Sequence, residues 1–372
     1  MKTIRTLLSA ILCMMLLIAG VACGKQQTPA VSVESNASIP EAKTEIESLS
    51  TAETALAVDT TPEPVIDSTS TEKTESSPYN EVHGDNQIRV AALVGPTGMG
   101  LAYLPVLSDA YQLDLYTAPD QVTAKIINGE IDIAAVPVNL GSVLYNKTNG
   151  GVTAIAVNTL GVLYFVENGD TINTVKDLAG KTVYATGQGS TPQYILEKIL
   201  ADNGLAENVT VEYIAENSEL VAKLIDGSDV KIAFIPEPQV SNACIKNGNI
   251  HVALSANDLW MESSDTDIVQ GIYLVRSDYL RDHSDEVDRF LSDAAISVNR
   301  VLNDENASAI VVERGILGAE PIAKKAIPNC NIVLISGTEM KDLISDMLKT
   351  LFDANPKSVG GKLPEDSFYY VP

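Results

Sequence analysis

Basic residues are scarce in this chain. Only 25 Lys and Arg stand against 49 Asp and Glu over 372 residues, a formal charge of −24. A protein that grips nucleic acid neutralises phosphates with clustered Lys and Arg, so this balance excludes DNA and RNA as partners. Histidine is scarcer still, with three residues at 83, 251 and 283, and the four Cys at 13, 23, 244 and 330 form no closely spaced pair. Transition-metal centres need nitrogen and sulfur ligands at short spacings, so neither a metal site nor a cofactor is expected. The sequence has no G-x-G-x-x-G turn and no G-x-S-x-G elbow, and its histidines have no evident Ser or Cys partner. Dinucleotide chemistry and triad hydrolysis are thereby disfavoured, and no residue is expected to be catalytic.

Apolar residues are plentiful, at 45% of the chain, which is enough for sizeable cores in two domains or one large two-lobed unit. That average spans three regions. Residues 1–23 carry Lys2 and Arg5, then an uncharged run from Thr6 to Ala22, ending Ala19-Gly20-Val21-Ala22-Cys23. The run is too short for a permanent membrane span and reads as a secretory signal. Residues 24–85 hold 18 Ser and Thr, five Pro, 12 Asp and Glu, three Lys, one Tyr at 79 and no Phe or Trp. They cannot bury enough apolar surface to offset chain entropy, so a disordered acidic tether is expected. The tether takes −9 and the signal +2, leaving −17 on the remaining body.

From Asn86 the pattern becomes α/β. Short β-branched runs at 88–94, 131–137, 152–158, 182–186, 209–214 and 230–236 alternate with helical stretches from Met99, near 139–147, at 191–203 and at 218–226. Val287, Phe290, Leu291, Ala294, Ala295, Val298 and Leu302 then fall at helical spacing behind Ser284, a candidate N-cap. An internal echo links 129–144 with 227–243: glycine, acidic residue, strand, a Pro at its carboxyl end, then a helix start. Two similarly built halves predict two α/β lobes, each a mostly parallel sheet flanked by helices. Ligands of open α/β sheets lie at the carboxyl ends of strands, which selects the residues just after them.

Those residues are polar or glycine-rich. Gly95, Pro96, Thr97 and Gly98 follow the first strand, where free amides and a helix dipole favour an anion or a carbonyl oxygen. Gln188, Gly189, Ser190 and Thr191 repeat the arrangement in the second half, and Pro192 suits a first helical turn. For each loop the alternative is a tight connection with a capping hydroxyl and nothing bound. Pro137, Asn139, Asn158 and Thr159 end two further strands as ligand contacts or as caps and turns. Glu237, between Pro236 and Pro238, either faces the crevice, favouring a ligand with an amine or ring N–H, or meets solvent at a helix start. Gln270 and Gly271 precede the returning strand, and Tyr103, Tyr164, Tyr184, Tyr194 and Trp260 are candidate ring surfaces.

The stretch from Thr174 through Asp177, Gly180 and Lys181 to Gly187-Gln188-Gly189-Ser190-Thr191-Pro192 resembles a signature of type II periplasmic binding proteins. With 90–98, 129–137 and 235–238 in order, the chain is similar to the NMT1/THI5-like branch, which serves ABC importers of nitrate, sulfonates, taurine and thiamine-precursor pyrimidines. The chain lacks the Cys-rich motif of thiamine-precursor synthases, so that chemistry is not implied. The segment before Cys23 resembles a bacterial lipobox, which implies cleavage there and a lipid on Cys23. The resemblance implies a two-lobed binding protein that delivers a small-molecule ligand to an ABC permease and ATPase. It would be a monomer anchored outside the cytoplasm. Lobe 1 would comprise 86–175 plus 272–372 and lobe 2 176–271, joined by a two-crossing hinge. Two alternatives keep the fold: a menaquinone-pathway-like enzyme, against which an export signal counts, or a ligand-sensing lipoprotein. Cys244 and Cys330, expected in different lobes, are read as free thiols.

Overall fold

The computed structural model describes residues 87–372, so the signal, Cys23 and the tether lie outside the described residues. The chain opens with β1 (Ile88–Leu93), α1 (Pro96–Met99), α2 (Leu104–Leu107), β2 (Tyr111–Tyr116), α3 (Pro119–Ile127), β3 (Ile133–Pro137), α4 (Val138–Lys147) and β4 (Val152–Leu160). A second run holds β5 (Leu163–Asn168), β6 (Thr182–Ala185), α5 (Thr191–Asp202), β7 (Thr210–Tyr213), α6 (Asn217–Asp226), β8 (Ile232–Pro236), α7 (Gln239–Lys246), β9 (Ile250–Ser255) and α8 (Ala256–Met261). The chain returns through β10 (Val269–Arg276) and finishes with α9 (Ser277–Asp282), α10 (Ser284–Asn303), α11 (Ala307–Glu313), α12 (Glu320–Ala326), β11 (Ile332–Ile335) and α13 (Gly337–Ala354).

Two sheets result. The first has the order β11-β4-β10-β3-β1-β2 and the second β7-β6-β8-β5-β9. In each, the consecutive βαβ units pair in parallel, β1 with β2 and β3, and β6 with β7 and β8. Antiparallel pairing enters where the chain passes between sheets, with β10 against β3 and β4 and β5 against β8 and β9, and again at the edge of the first sheet, where β11 runs against β4. The central strands are buried along their lengths, which is why they read as continuous apolar runs. The α/β architecture with helix-flanked, mostly parallel sheets is therefore present.

Three local expectations change. The helix expected from Met99 instead starts at Pro96 and stops at Met99, because glycines at 98 and 100 and Pro105 break the run into two four-residue helices. Ser284 is the first residue of α10 and not its cap, and no side-chain cap bond is made there. Strand pairing places β5 in the second sheet, so the chain first changes sheets at Gly161-Val162, ahead of the 175/176 boundary, and returns over residues 262–268. Among the described residues no helix is long and apolar enough to cross a membrane.

Candidate functional site

The first loop is built by close packing. Gly95 takes φ 95°, a conformation open to glycine, and a Cβ at Gly98 would overlap the Leu93 carbonyl oxygen. Two of its amides are already used: Gly95 N donates to Ile316 O at 3.0 Å and Gly98 N to Gly95 O at 3.2 Å.

Beside this loop the ends of β3, β4 and β10 converge. Asn158 is 1% exposed, and its Oδ1 accepts from Thr159 Oγ1 at 2.8 Å. Thr159 Oγ1 also lies 3.4 Å from Pro96 O. Across the ladder Gly271 pairs with both Pro137 and Thr159. A Cβ on Gly271 would overlap Asn158 Oδ1 and stand 3.1 Å from Thr97 Cγ2, so the glycine keeps these groups within reach of one another. Asn158 Nδ2 and Gln270 Oε1 are both buried with no hydrogen-bond partner. An unpaired buried amide is costly, about 1–3 kcal/mol, and marks where a ligand or water would be satisfied. Pro96, Thr97, Pro137, Asn158 and Thr159 are thus brought together around Gly271, Gln270 is its neighbour along β10, and Asn139 sits half-buried in the first turn of α4.

The second loop braces itself. Ser190 Oγ donates to Gly187 O at 2.7 Å, Gly189 N donates to Gln193 Oε1 at 2.6 Å, and Tyr194 OH donates to Gly189 O at 3.2 Å. Gln188 and Gly189 remain exposed and Thr191 is buried. Among the described residues no hydrogen bond joins this loop to the Asn158 group.

Glu237 points inward, which removes the solvent-facing alternative. It is 2% exposed and accepts from Ser241 N at 3.1 Å, Ser241 Oγ at 2.9 Å and Asn329 Nδ2 at 3.4 Å. Asn329 follows α12, and its carbonyl accepts from Tyr164 OH on β5 at 2.7 Å. These bonds connect the second sheet to the segment leading into β11. Burial pushes the Glu237 carboxyl above its ordinary range, against the lowering effect of the Ser241 and Asn329 donors and of Lys325. Burial likewise raises the Cys244 and Cys330 thiols, and both are free.

Sequence reasoning missed Asn329 and Ser241, which carry no periodic or motif signal. Trp260 belongs to the core, with Lys198 Nζ 5.1 Å above its ring. Tyr103 packs in a separate core cluster with Met99 and Val298. A groove of about 490 Å³ lies at the far end of β10, where Arg276 is held by Gly129 O at 2.8 Å and Asp278 at 3.0 Å. Its cation is already paired, so the Asn158 group is the stronger candidate.

The profile of the NMT1/THI5-like family matches residues 112–307. No curated protein matches the chain. Among solved structures it is similar to an ABC transporter from Parabacteroides distasonis, with 24% identity and a TM-score of 0.66 over 77% of this chain and 99% of that one. It is also similar to the periplasmic aliphatic sulphonate binding protein of Escherichia coli, with 19% identity and a TM-score of 0.62 over 78% and 93%. A third, the ligand-binding component of an ABC-type import system from Staphylococcus aureus with zinc bound, has 13% identity and a TM-score of 0.56 over 76% and 98%. At these identities the likeness is one of fold.

Proposed function

Because the chain belongs to the NMT1/THI5-like family, we propose that it is an extracytoplasmic solute-binding lipoprotein. It captures a small polar organic or anionic ligand between two lobes and delivers it to the permease and ATPase of an ABC importer. The observation that carries this reading is Asn158: a nearly fully buried amide whose Nδ2 lacks a partner, at strand ends where Gly271 withholds a side chain. Solved structures of this fold include a periplasmic sulphonate binding protein and the ligand-binding component of an ABC-type import system, which supports the same reading.

In this proposal the lobes follow the two sheets and hinge at 161–162 and 262–268. The first lobe offers Gly95, Pro96, Thr97, Gly98, Pro137, Asn139, Asn158, Thr159 and Gln270. The second offers Gln188, Gly189, Ser190, Thr191 and Glu237. A lipid on Cys23 holds the monomer at the membrane, and the protein performs no chemistry on its cargo.

Ligand that bridges both lobes stabilises the closed form. A thermal-shift panel of sulfonates, nitrate, pyrimidines, riboflavin-like rings and amino-acid derivatives is expected to yield a compound that raises Tm, with Asn158→Ala abolishing the shift. The same compound should reduce the radius of gyration in solution X-ray scattering. A stabilising compound that leaves the radius unchanged rules out closure, and one indifferent to Asn158→Ala removes the site.

A further inference from the structure

We propose that Tyr194 and Asn355 are positioning residues through which the first lobe sets the second loop of the candidate site, Gly187 to Ser190. This rests on the two-lobed solute-binding reading above and adds how the second lobe's half of the site is shaped before a ligand arrives. Asn355 ends α13, and its side-chain orientation is decided locally: Oδ1 accepts from Lys357 N at 3.1 Å, so Nδ2 is the end that faces Tyr194. The 3₁₀ turn Pro356–Val359 that follows is tied to the first lobe, since Val359 O accepts from Ser142 Oγ at 2.8 Å and from Asn146 Nδ2 at 3.0 Å, both on α4. On the other side α13 packs against α5, and Tyr194 shares one core cluster with Leu348 and Leu351.

A phenol has one proton to give. Asn355 Nδ2 donates to Tyr194 OH at 2.8 Å, which leaves that proton for Gly189 O at 3.2 Å. The same peptide unit is held at its other end, where Ser190 N donates to Gly187 O at 3.0 Å. Gly187 and Gly189 both take φ 77°, in a region that glycine enters and leaves freely, so the loop needs bonds of this kind to keep one shape. Fixing that shape in advance removes an ordering cost from binding. Tyr194 is 7% exposed whereas Gln188 and Gly189 face solvent, so the ring braces the loop from beneath and leaves its outer side open.

Two substitutions at one position separate this relay from plain packing. Asn355→Asp keeps an acceptor for Lys357 N at almost constant shape but puts a carboxylate oxygen where Nδ2 was; the ionised acceptor takes the phenol proton from the longer bond to Gly189 O, and the loop is released. Asn355→Ala removes the cap yet leaves the phenol proton to Gly189 O. The test is hydrogen exchange read by mass spectrometry on the full chain, with Tyr194→Phe as the third variant and a circular-dichroism melt to confirm that each is folded. In Asn355→Asp and Tyr194→Phe, peptides over 186–193 should exchange roughly fivefold or more faster than in the wild type while those over 355–361 do not, and in Asn355→Ala the pattern should invert. A merely structural contact would loosen both segments together, most of all in Asn355→Ala; that result, or an unchanged loop in Tyr194→Phe, overturns the proposal. Ethanesulfonate, nitrate, thymine and riboflavin serve as binding probes. Any that raises the wild-type Tm should bind roughly fivefold or more weakly to Asn355→Asp and unchanged to Asn355→Ala, and equal losses overturn the positioning role. Failure of every probe to raise the wild-type Tm counts against the solute-binding reading, while the exchange pattern still decides the relay.

Discussion

Asp132 shows how much one side chain carries outside the site. Its carboxylate, 3% exposed, accepts from Arg89 N at 3.0 Å, Arg89 Nε at 2.9 Å and Arg89 Nη2 at 2.5 Å, with Arg276 Nη1 at 3.8 Å. It ties β1, β3 and β10 together at the end opposite the candidate site. Removing the carboxylate leaves the Arg89 amide without its acceptor and frees a guanidinium that is 38% exposed, so Asp132→Ala should destabilise the fold by about 1–3 kcal/mol in denaturant melts. An effect below about 1 kcal/mol would mean that water replaces the carboxylate. The internal echo made the strand ends legible: Pro137 and Pro236 close the equivalent strands β3 and β8, each opposite an antiparallel partner, Gly271 and Leu163. It did not reveal this ion pair, because at equal offset from the proline the second half has Lys231. Asp177, within the stretch that carries the family resemblance, likewise proves architectural. Bonds from the Asn173 and Thr174 amides hold its carboxyl below the usual range and cap the turn before β6.

At the level of elements, α10 separates what periodicity can and cannot tell. Val287, Phe290, Ala294 and Val298 are buried as the stripe predicts, whereas Ala295 and Leu302 face solvent and Ser297 and Val301 take up the core positions. A 3.6-residue period fixes a face but not its width, which depends on what lies beneath. Phe290 meets Tyr273 edge-on at 5.4 Å and Tyr111 at 6.1 Å. Phe290→Ala should therefore destabilise by about 3–5 kcal/mol and Leu302→Ala by less than about 0.5 kcal/mol in denaturant melts. Equal effects would contradict this packing. The strands show a different limit. The apolar run expected at 152–158 is β4, but β5 is not among the expected strands, and the chain changes sheets at Gly161-Val162 between the two. Local sequence specifies an extended buried backbone, while the sheet it joins is set by partners far along the chain, β10 and β11 for β4, β8 and β9 for β5.

Across the whole molecule, the chain from Ser241 through Glu237 and Asn329 to Tyr164 buries a carboxyl where the second sheet meets the segment entering β11. Titratable groups from each side bear on it: Lys325 from α12, Cys244 from α7, Cys330 beyond Asn329 and Tyr164 from β5. Because desolvation raises the folded carboxyl above its unfolded value of 4.5, the folded state keeps a proton that the unfolded chain has released. The stability this group contributes is therefore complete below about pH 4.5 and is lost as pH rises through the raised folded value. Glu237→Gln keeps an acceptor for Ser241 and Asn329 but cannot ionise. Its Tm should match that of the wild type at pH 4 and exceed it increasingly towards pH 8. The other 36 acidic residues of the body are common to both proteins, so the difference between the two curves isolates this one carboxyl. Parallel curves would show that Glu237 stays ionised in the fold and that Lys325 and the Ser241 donors outweigh its burial.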